Sequence, residues 1–265
     1  MKKFIGIFFL LLTFFLAGKF VFASSGQAYT DYQYQFGLYR QSLTNFQDAI
    51  TQYRQFNSLT SQQDALDKAK QLIAQRDMAA KSYFLFLNEK LNENPGITTS
   101  EAAGYRSTMT NQIAFLDQNS LASGNLQSLS DAQSLSDGFI KNYLVMQSSY
   151  RQTIVAIELG YLNYFASAFD SAAAQAQTLI GQVHDAASPE KQATLDRWLV
   201  NLANQHSLYQ QKAMAIKASS LKITGDLSTQ DRQFSDAQKL LNDAQDILSV
   251  GSSYLTEVET AIQYE

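Results

Sequence analysis

The fold is decided by residues 126–187, which read LQSLSDAQSLSDGFIKNYLVMQSSYRQTIVAIELGYLNYFASAFDSAAAQAQTLIGQVHDAA. This stretch contains no proline, and strong helix breakers flank it, Gly124-Asn125 before and Ser188-Pro189 after. As a single helix it would be about 90 Å long, at a rise of about 1.5 Å per residue. Such a length is typical of a coiled-coil-like rod and far exceeds the helices of a compact domain.

The long stretch carries one apolar stripe whose successive members lie three or four residues apart. We call such a stripe a seam. Because this spacing keeps the side chains on one face of a helix, neighbouring helices are expected to bury it. An alternative is that the stretch folds back on itself near Gly160 or Gly181. The seam consists of Phe139, Tyr143, Met146, Tyr150, Ile154, Ile157, Tyr161 and Tyr164.

The most regular seam of the chain belongs to the first predicted helix, at about residues 27–55. Its members alternate steps of four and three, which is a heptad pattern, and most of them are aromatic. The members are Tyr32, Phe36, Tyr39, Leu43, Phe46, Ile50 and Tyr53.

Capping signals divide the rest of the chain into further helices. Helix two is predicted to end at Asn94-Pro95-Gly96, the strongest turn signal present. The predicted caps, in chain order, are Thr60 with Gln63 or Ser61 with Asp64, then Thr98 with Glu101, then Ser128 or Ser134, then Ser188 before Pro189, and Ser228 with Asp231.

Six helices and no strand follow from these patterns. The prediction is an all-α, elongated antiparallel helical bundle with coiled-coil-like packing, arranged as two three-helix segments or as one bundle continued by the long helix. Residues 24–125 would form the first segment, with three helices. Residues 126–265 would form the second, with the long helix and two more.

Residues 1–23 resemble a secretory signal. Lys2-Lys3 form the basic start, residues 4–18 are uncharged and strongly apolar, and Val21-Phe22-Ala23 fits the small-x-small cleavage rule loosely. The alternative is an uncleaved N-terminal anchor, with Lys19 at one end of the span. Either way the remainder is predicted to lie outside the cytoplasm, secreted or at the cell surface or in the periplasm.

The charge and the missing cysteines limit the function. Loss of residues 1–23 removes three lysines and no acid, so the net charge changes from −4 to −7. An acidic chain without a basic patch is not expected to bind nucleic acid. A chain without cysteine has no disulfides and no thiol chemistry, so its stability rests on packing.

No catalytic, cofactor-binding or metal-binding residue is predicted, and neither is a cofactor. His184 and His206 are the two histidines, they lie on different helices, and neither belongs to a ligand-spaced pair. His206 falls on the seam of the fifth predicted helix, which begins at Ser188-Pro189. A buried, hydrogen-bonded histidine is expected there, and a pH-sensitive or ligand-binding one is the alternative. Carboxylate pairs such as Asp64/Asp67 and Asp243/Asp246 are expected on solvated faces. We therefore predict that the protein is not an enzyme.

The aromatic content is the most informative feature. Fourteen tyrosines and seventeen phenylalanines are many for helical seams, which normally favour Leu, Ile and Val. The expected reading is core packing, for Trp198 as well. The alternative is a tyrosine-lined groove that binds sugars, peptides or another helix. Residues 154–169, the most apolar segment after the leader, are expected to be buried centrally, with membrane insertion as the alternative.

These observations predict an exported, non-enzymatic helical-bundle protein with a structural or binding role, such as a spacer, scaffold or adhesin-like protein. Two alternatives are a membrane-active, pore-former-like protein and an extracytoplasmic ligand-binding or sensor bundle. A protein partner or self-association is expected to be possible. Contact with a membrane is expected only through the N-terminal segment, if it is uncleaved.

Overall fold

The computed structural model describes residues 23–263, and within that range the chain forms six α-helices and no strand. The predicted all-α helical bundle is confirmed. The predicted leader lies almost entirely outside the described residues, so its cleavage stays a prediction. The helices are α1 (Ala23–Phe56), α2 (Leu59–Asn92), α3 (Thr99–Gly124), α4 (Leu129–Val183), α5 (Pro189–Ser220) and α6 (Leu227–Gln263).

The long central stretch is one continuous helix. α4 runs for 55 residues, and a 3₁₀ turn, His184–Ala186, follows it directly. The alternative in which the stretch folds back near Gly160 or Gly181 is therefore wrong. A helix can contain glycine where packing offsets the low helix propensity of that residue. Gly160 is such a case, as described below.

Most predicted caps hold, and two are corrected. Thr98 and Glu101 form the predicted capping box, Ser128 rather than Ser134 caps α4, and Ser188 caps α5 before Pro189. The cap of α2 is Ser58, paired with Ser61, so both predicted starts were a few residues late. The cap of α6 is Asp226, whose carboxylate accepts from the Thr229 N–H at 2.7 Å, and not Ser228. A carboxylate at this position also interacts well with the helix dipole.

The chain divides into two compact units, and the three boundaries between them fall in the α2–α3 connection, inside α3 and inside α4. The first unit comprises the described residues through Glu93 together with Leu116–Ala132, and the second comprises Asn94–Phe115 and the described residues from Gln133 onward. The predicted domain boundary at residues 125 and 126 stays a prediction.

The first unit is built on an antiparallel hairpin of α1 and α2. The connection is short, because Asn57 adopts a left-handed conformation (φ 47°) that ends α1, and Ser58 begins the next helix at once. The last turns of α3 run antiparallel to α2, since Lys81 binds Asp117 and Asp77 accepts from Asn119.

The second unit contains a three-helix bundle in which α5 runs antiparallel to α4 and α6. Tyr209 on α5 donates to Asn163 on α4 at 2.7 Å, and Gln238 on α6 donates to Glu158 on α4 at 2.9 Å. The side chains between the three helices are fully buried. This core includes Val155, Leu159 and Ala166 from α4, Tyr209, Ala213 and Ile216 from α5, and Ala237, Leu241 and Ala244 from α6.

The connection between α2 and α3 packs directly on the middle of α4. The buried Asn94 side chain donates to the Ile157 carbonyl at 2.7 Å and accepts from the Gly96 N–H at 3.0 Å. A Cβ on Gly96 would lie 1.7 Å from the Gly160 carbonyl oxygen, and a Cβ on Gly160 would lie 2.4 Å from the Ile97 side chain. Glycine at both positions is therefore what allows the two backbones to approach this closely.

Candidate binding surface

The most distinctive surface of the first unit is a run of aromatic rings that crosses the α1–α2 hairpin. Along α1 the ring centroids of consecutive members lie 5.9–6.3 Å apart. Two contacts cross to α2, Tyr29 with Phe86 at 5.3 Å and Tyr32 with Tyr83 at 5.0 Å. We call this set the aromatic face, and its members are Tyr29, Tyr32, Phe36, Tyr39, Tyr83 and Phe86.

The aromatic face is only partly covered by the rest of the chain. Tyr29 is 45% exposed and Phe36 is 41% exposed, while the other four rings are half-buried. Among the side chains described for α1, residues 25–56, those of Ser25 and Ala49 are buried. α1 therefore packs against α2 along the half-buried part of its seam, and the rings of Tyr29 and Phe36 stay exposed.

Mostly small side chains lie beside the aromatic seam of α1. Positions 28, 35, 42 and 49 follow one heptad line, and they hold two alanines, one serine and the larger Gln35. All four are half-buried or buried. Helices approach more closely along such a line, so the bulky seam rings are displaced toward the edge of the contact.

The electrostatics of this face are close to neutral. Burial, followed by the neighbouring Tyr29, raises the pKa of Tyr32, and burial raises that of Tyr83, so both phenols stay protonated at physiological pH. α1 carries two acids and two arginines, Asp31, Asp48, Arg40 and Arg54. Lys90 lies over the Phe86 ring at 5.9 Å, a cation–π contact at the rim.

A buried polar cluster links α2 to α3 in the same unit. Asp77, 1% exposed, accepts from Arg76 at 2.9 Å and from Asn119 at 2.6 Å. Burial raises the pKa of Asp77 more than Arg76 and Asn119 lower it, and burial also lowers the pKa of Arg76. The cluster specifies how the two helices pair, and its charges are costly to bury.

The two histidines are each paired with carboxylates. His206 is exposed, which corrects the prediction of a buried position, and its Nδ1 lies 2.6 Å from Asp170 on α4. Leu202 and Tyr209, the seam residues before and after it, are buried, so His206 alone among these three lies at the edge of the stripe. His184 lies 3.4 Å from Asp185 and 3.3 Å from Asp196.

Trp198 and the apolar segment of α4 lie where packing was expected. Trp198 packs against the core of the second unit, and its indole N–H donates to Glu257 at 3.0 Å. Within residues 154–169, Val155, Leu159 and Ala166 are buried in that core. None of the helices that the structure describes is apolar over enough residues to cross a membrane.

Possible metal-ligand side chains are scattered over residues 23–263. No group of three or more His, Cys, Asp or Glu side chains in that range comes together as a metal site requires. The carboxylate pairs Asp64/Asp67 and Asp243/Asp246 lie on exposed faces, as expected.

Sequence reasoning missed three features of these surfaces. Tyr29 extends the α1 seam by one step, since it precedes Phe36 by seven residues, and the spacing alone could have identified it. Asp77 follows Ile73 by four residues and so falls on the buried face of α2, which is a usable signal for a buried charge. The contact of Gly96 with Gly160 has no local signal.

No protein-family model matches the chain, and no curated protein and no solved structure is significantly similar to it.

Proposed function

We propose that this chain is an exported, non-enzymatic helical-bundle protein with a structural or binding role outside the cytoplasm, acting through the aromatic face of its α1–α2 hairpin. The observation that carries the proposal is the partial exposure of Tyr29 and Phe36 within a continuous cluster of six rings. Contiguous exposed apolar surface marks interaction sites in soluble proteins.

The composition of the face supports binding rather than chemistry. Tyrosine and phenylalanine are enriched where proteins meet partners, because a rigid ring supplies a large contact area and loses few rotamers. Burial raises the pKa of Tyr32 and Tyr83, so these two phenols stay neutral, and all six members of the face are aromatic residues. A spacer, scaffold or adhesin-like role fits such a surface.

Export is supported by the sequence of the first 23 residues alone. It is tested by producing the whole chain with a C-terminal epitope tag and measuring the mass of the protein outside the cytoplasm. We expect a chain that begins at Ser24. A Leu11→Arg variant, which interrupts the apolar core of the leader, should stay in the cytoplasm. Full-length wild-type protein in the cytoplasm would contradict export.

The role of the aromatic face is tested by a matched pair of double variants. Tyr29→Gln with Phe36→Gln removes the two most exposed rings of the face. Tyr34→Gln with Phe56→Gln also removes one tyrosine and one phenylalanine of α1, which are 64% and 65% exposed but lie outside the face. The readout is the fraction of exported protein that stays with the washed cell envelope. We expect the first variant to be released and the second to be retained like the wild type. Equal retention of both would contradict the proposed role of the face.

A further inference from the structure

The start of α1 is held by a carboxylate from the end of α2. The Ser25 backbone N–H donates to Glu93 Oε1 at 2.9 Å, and Ser25 is 2% exposed. The first N–H groups of a helix have no partner within that helix, and Glu93 supplies one for α1. This bond joins residues 68 positions apart in the sequence. It therefore closes the end of the α1–α2 hairpin that lies opposite the short Asn57-Ser58 connection.

The place of Glu93 in α2 gives its charge a preferred direction. Glu93 is the C-cap of α2, where a carboxylate interacts unfavourably with the dipole of its own helix. Its oxygen is turned to the N-terminus of α1, where negative charge is stabilising. Residues 24–30 contain no lysine or arginine. The cation that the start of α1 can itself bring to this carboxylate is therefore an α-amino group.

We infer that removal of the leader creates this cation, and that the α-ammonium group of Ser24 forms an ion pair with Glu93. The inference rests on the proposed export with cleavage before Ser24. Backbone nitrogens of consecutive residues are about 3 Å apart, so the Ser24 nitrogen lies within about 6 Å of Glu93 Oε1. In the uncleaved chain this nitrogen belongs to an uncharged amide. Cleavage therefore adds a charge beside an existing hydrogen bond and couples processing to the stability of the hairpin.

The bond from Ser25 to Glu93 is also what an ordinary helix cap would show, with or without cleavage. The two interpretations differ in the role of the negative charge. A cap needs only an acceptor, whereas an ion pair needs the charge of the carboxylate. Glu93→Gln keeps an acceptor and removes the charge, so this variant separates the ion pair from the cap.

A double-mutant cycle between Glu93 and the N-terminus tests the ion pair. The exported chain that begins at Ser24 is compared with one in which Ser-Gly is inserted between Ala23 and Ser24, which moves the α-amino group two residues outward. Mass spectrometry verifies both starts. Chemical denaturation at about pH 6.5, where an α-amino group is protonated, gives the unfolding equilibrium constant. We expect Glu93→Gln to raise this constant roughly fivefold more in the chain that begins at Ser24 than in the extended chain.

Asp31→Asn is the matched control. It also removes one acid near the start of α1, but Asp31 lies about 10 Å along the helix from Ser24 and accepts from Gln27 at 2.8 Å. It should change the unfolding constant of both chains by the same factor. A local readout is the rate at which an aminopeptidase releases Ser24, which requires the start of α1 to open. Glu93→Gln should raise this rate roughly fivefold in the chain that begins at Ser24.

Two results would overturn the inference. One is an effect of Glu93→Gln that is equal in both chains, as a simple cap predicts, and the other is an equally strong dependence of Asp31→Asn on the N-terminus. The cycle is also run on protein released at Ser24 from a fusion, so that export and the ion pair can fail separately. If the whole chain is not exported while the released protein shows the coupling, export is excluded and the ion pair stands. An exported chain that begins at Ser24 without the coupling excludes the ion pair alone.

Discussion

The α1–α2 hairpin and the α4–α5–α6 bundle use the same heptad pattern with opposite outcomes. In the bundle, α6 places Ala237, Leu241 and Ala244 on its seam, and all three are fully buried. In the hairpin, the seam of α1 is more regular and carries larger, mostly aromatic side chains, yet Phe36 is 41% exposed. The spacing of a seam indicates which face of a helix packs. The number of neighbouring helices decides how much of that face is buried. In the first unit the end of α3 pairs with α2, and Phe36 on α1 stays exposed.

A seam leucine of the bundle gives the largest single loss of stability that we expect. Leu241→Ala on α6 should lower the free energy of unfolding by about 3–4 kcal/mol, because it removes a fully buried side chain and leaves a cavity. Leu43→Ala on α1 should lower it by about 1 kcal/mol, because the half-buried side chain is already partly hydrated. Chemical denaturation of both variants measures the difference. Equal losses would mean that α1 is covered as fully as α6.

Helical glycines should respond with opposite signs. Gly160→Ala places a methyl group against Ile97 and Asn94, which should cost about 2–3 kcal/mol through overpacking. Gly37→Ala lies on the solvent side of α1 with no atom within 4 Å of the new Cβ, so it should stabilise by about 0.5–1 kcal/mol. Thermal unfolding of the two variants measures both signs. A stabilising Gly160→Ala would show that the turn before α3 does not pack on α4 as described.

The smallest of the three effects concerns Asp77, whose buried charge joins the hairpin to the end of α3. Asp77→Ala should cost about 2 kcal/mol, because it leaves the side chains of Arg76 and Asn119 without this acceptor. Asp77→Asn keeps an acceptor and removes the charge, so it should cost less.

The pH dependence of Asp77→Asn has a definite sign. The pKa of Asp77 is raised above the value of about 3.8 that it takes when unfolded, so between these two pKa values the native state holds the proton. The contribution of Asp77 to the free energy of unfolding of the wild type is therefore greatest below pH 3.8, and it falls as the pH rises through the raised pKa. The Asn variant lacks this loss, so its stability relative to wild type should improve with rising pH. Denaturation at several pH values tests the sign, and a relative decline of the variant would contradict it.

The sequence predicts the helices well because their signals are local. The capping box of Thr98 with Glu101 and the Ser188-Pro189 start involve residues within one turn of each other, and both hold. The continuity of α4 follows from the same logic, since no proline interrupts it. The two corrected caps are local as well. Ser58 and Asp226 cap their helices, and the predicted capping residues lie only a few positions away.

The burial of particular residues could not be predicted, because it depends on helices far apart in sequence. Spacing placed His206 on a seam, but the structure places it at the edge, beside Asp170. The same reasoning expected core packing for the rings of α1, and they are half-exposed. A regular seam does not by itself predict how deeply its side chains are buried. The open aromatic face is for this reason a property that only the assembled hairpin reveals.

The contact between Gly96 and Gly160 has a consequence for the order of folding. Asn94 and Ile157 lie 63 residues apart, and closing a segment of that length costs entropy before any contact is gained. The turn docks on the helical backbone around Gly160, so we expect this contact to form late in folding. Interactions absent from the transition state act on the unfolding rate. We therefore expect the contact between Gly96 and Gly160 to slow the unfolding of the second unit more than it speeds folding.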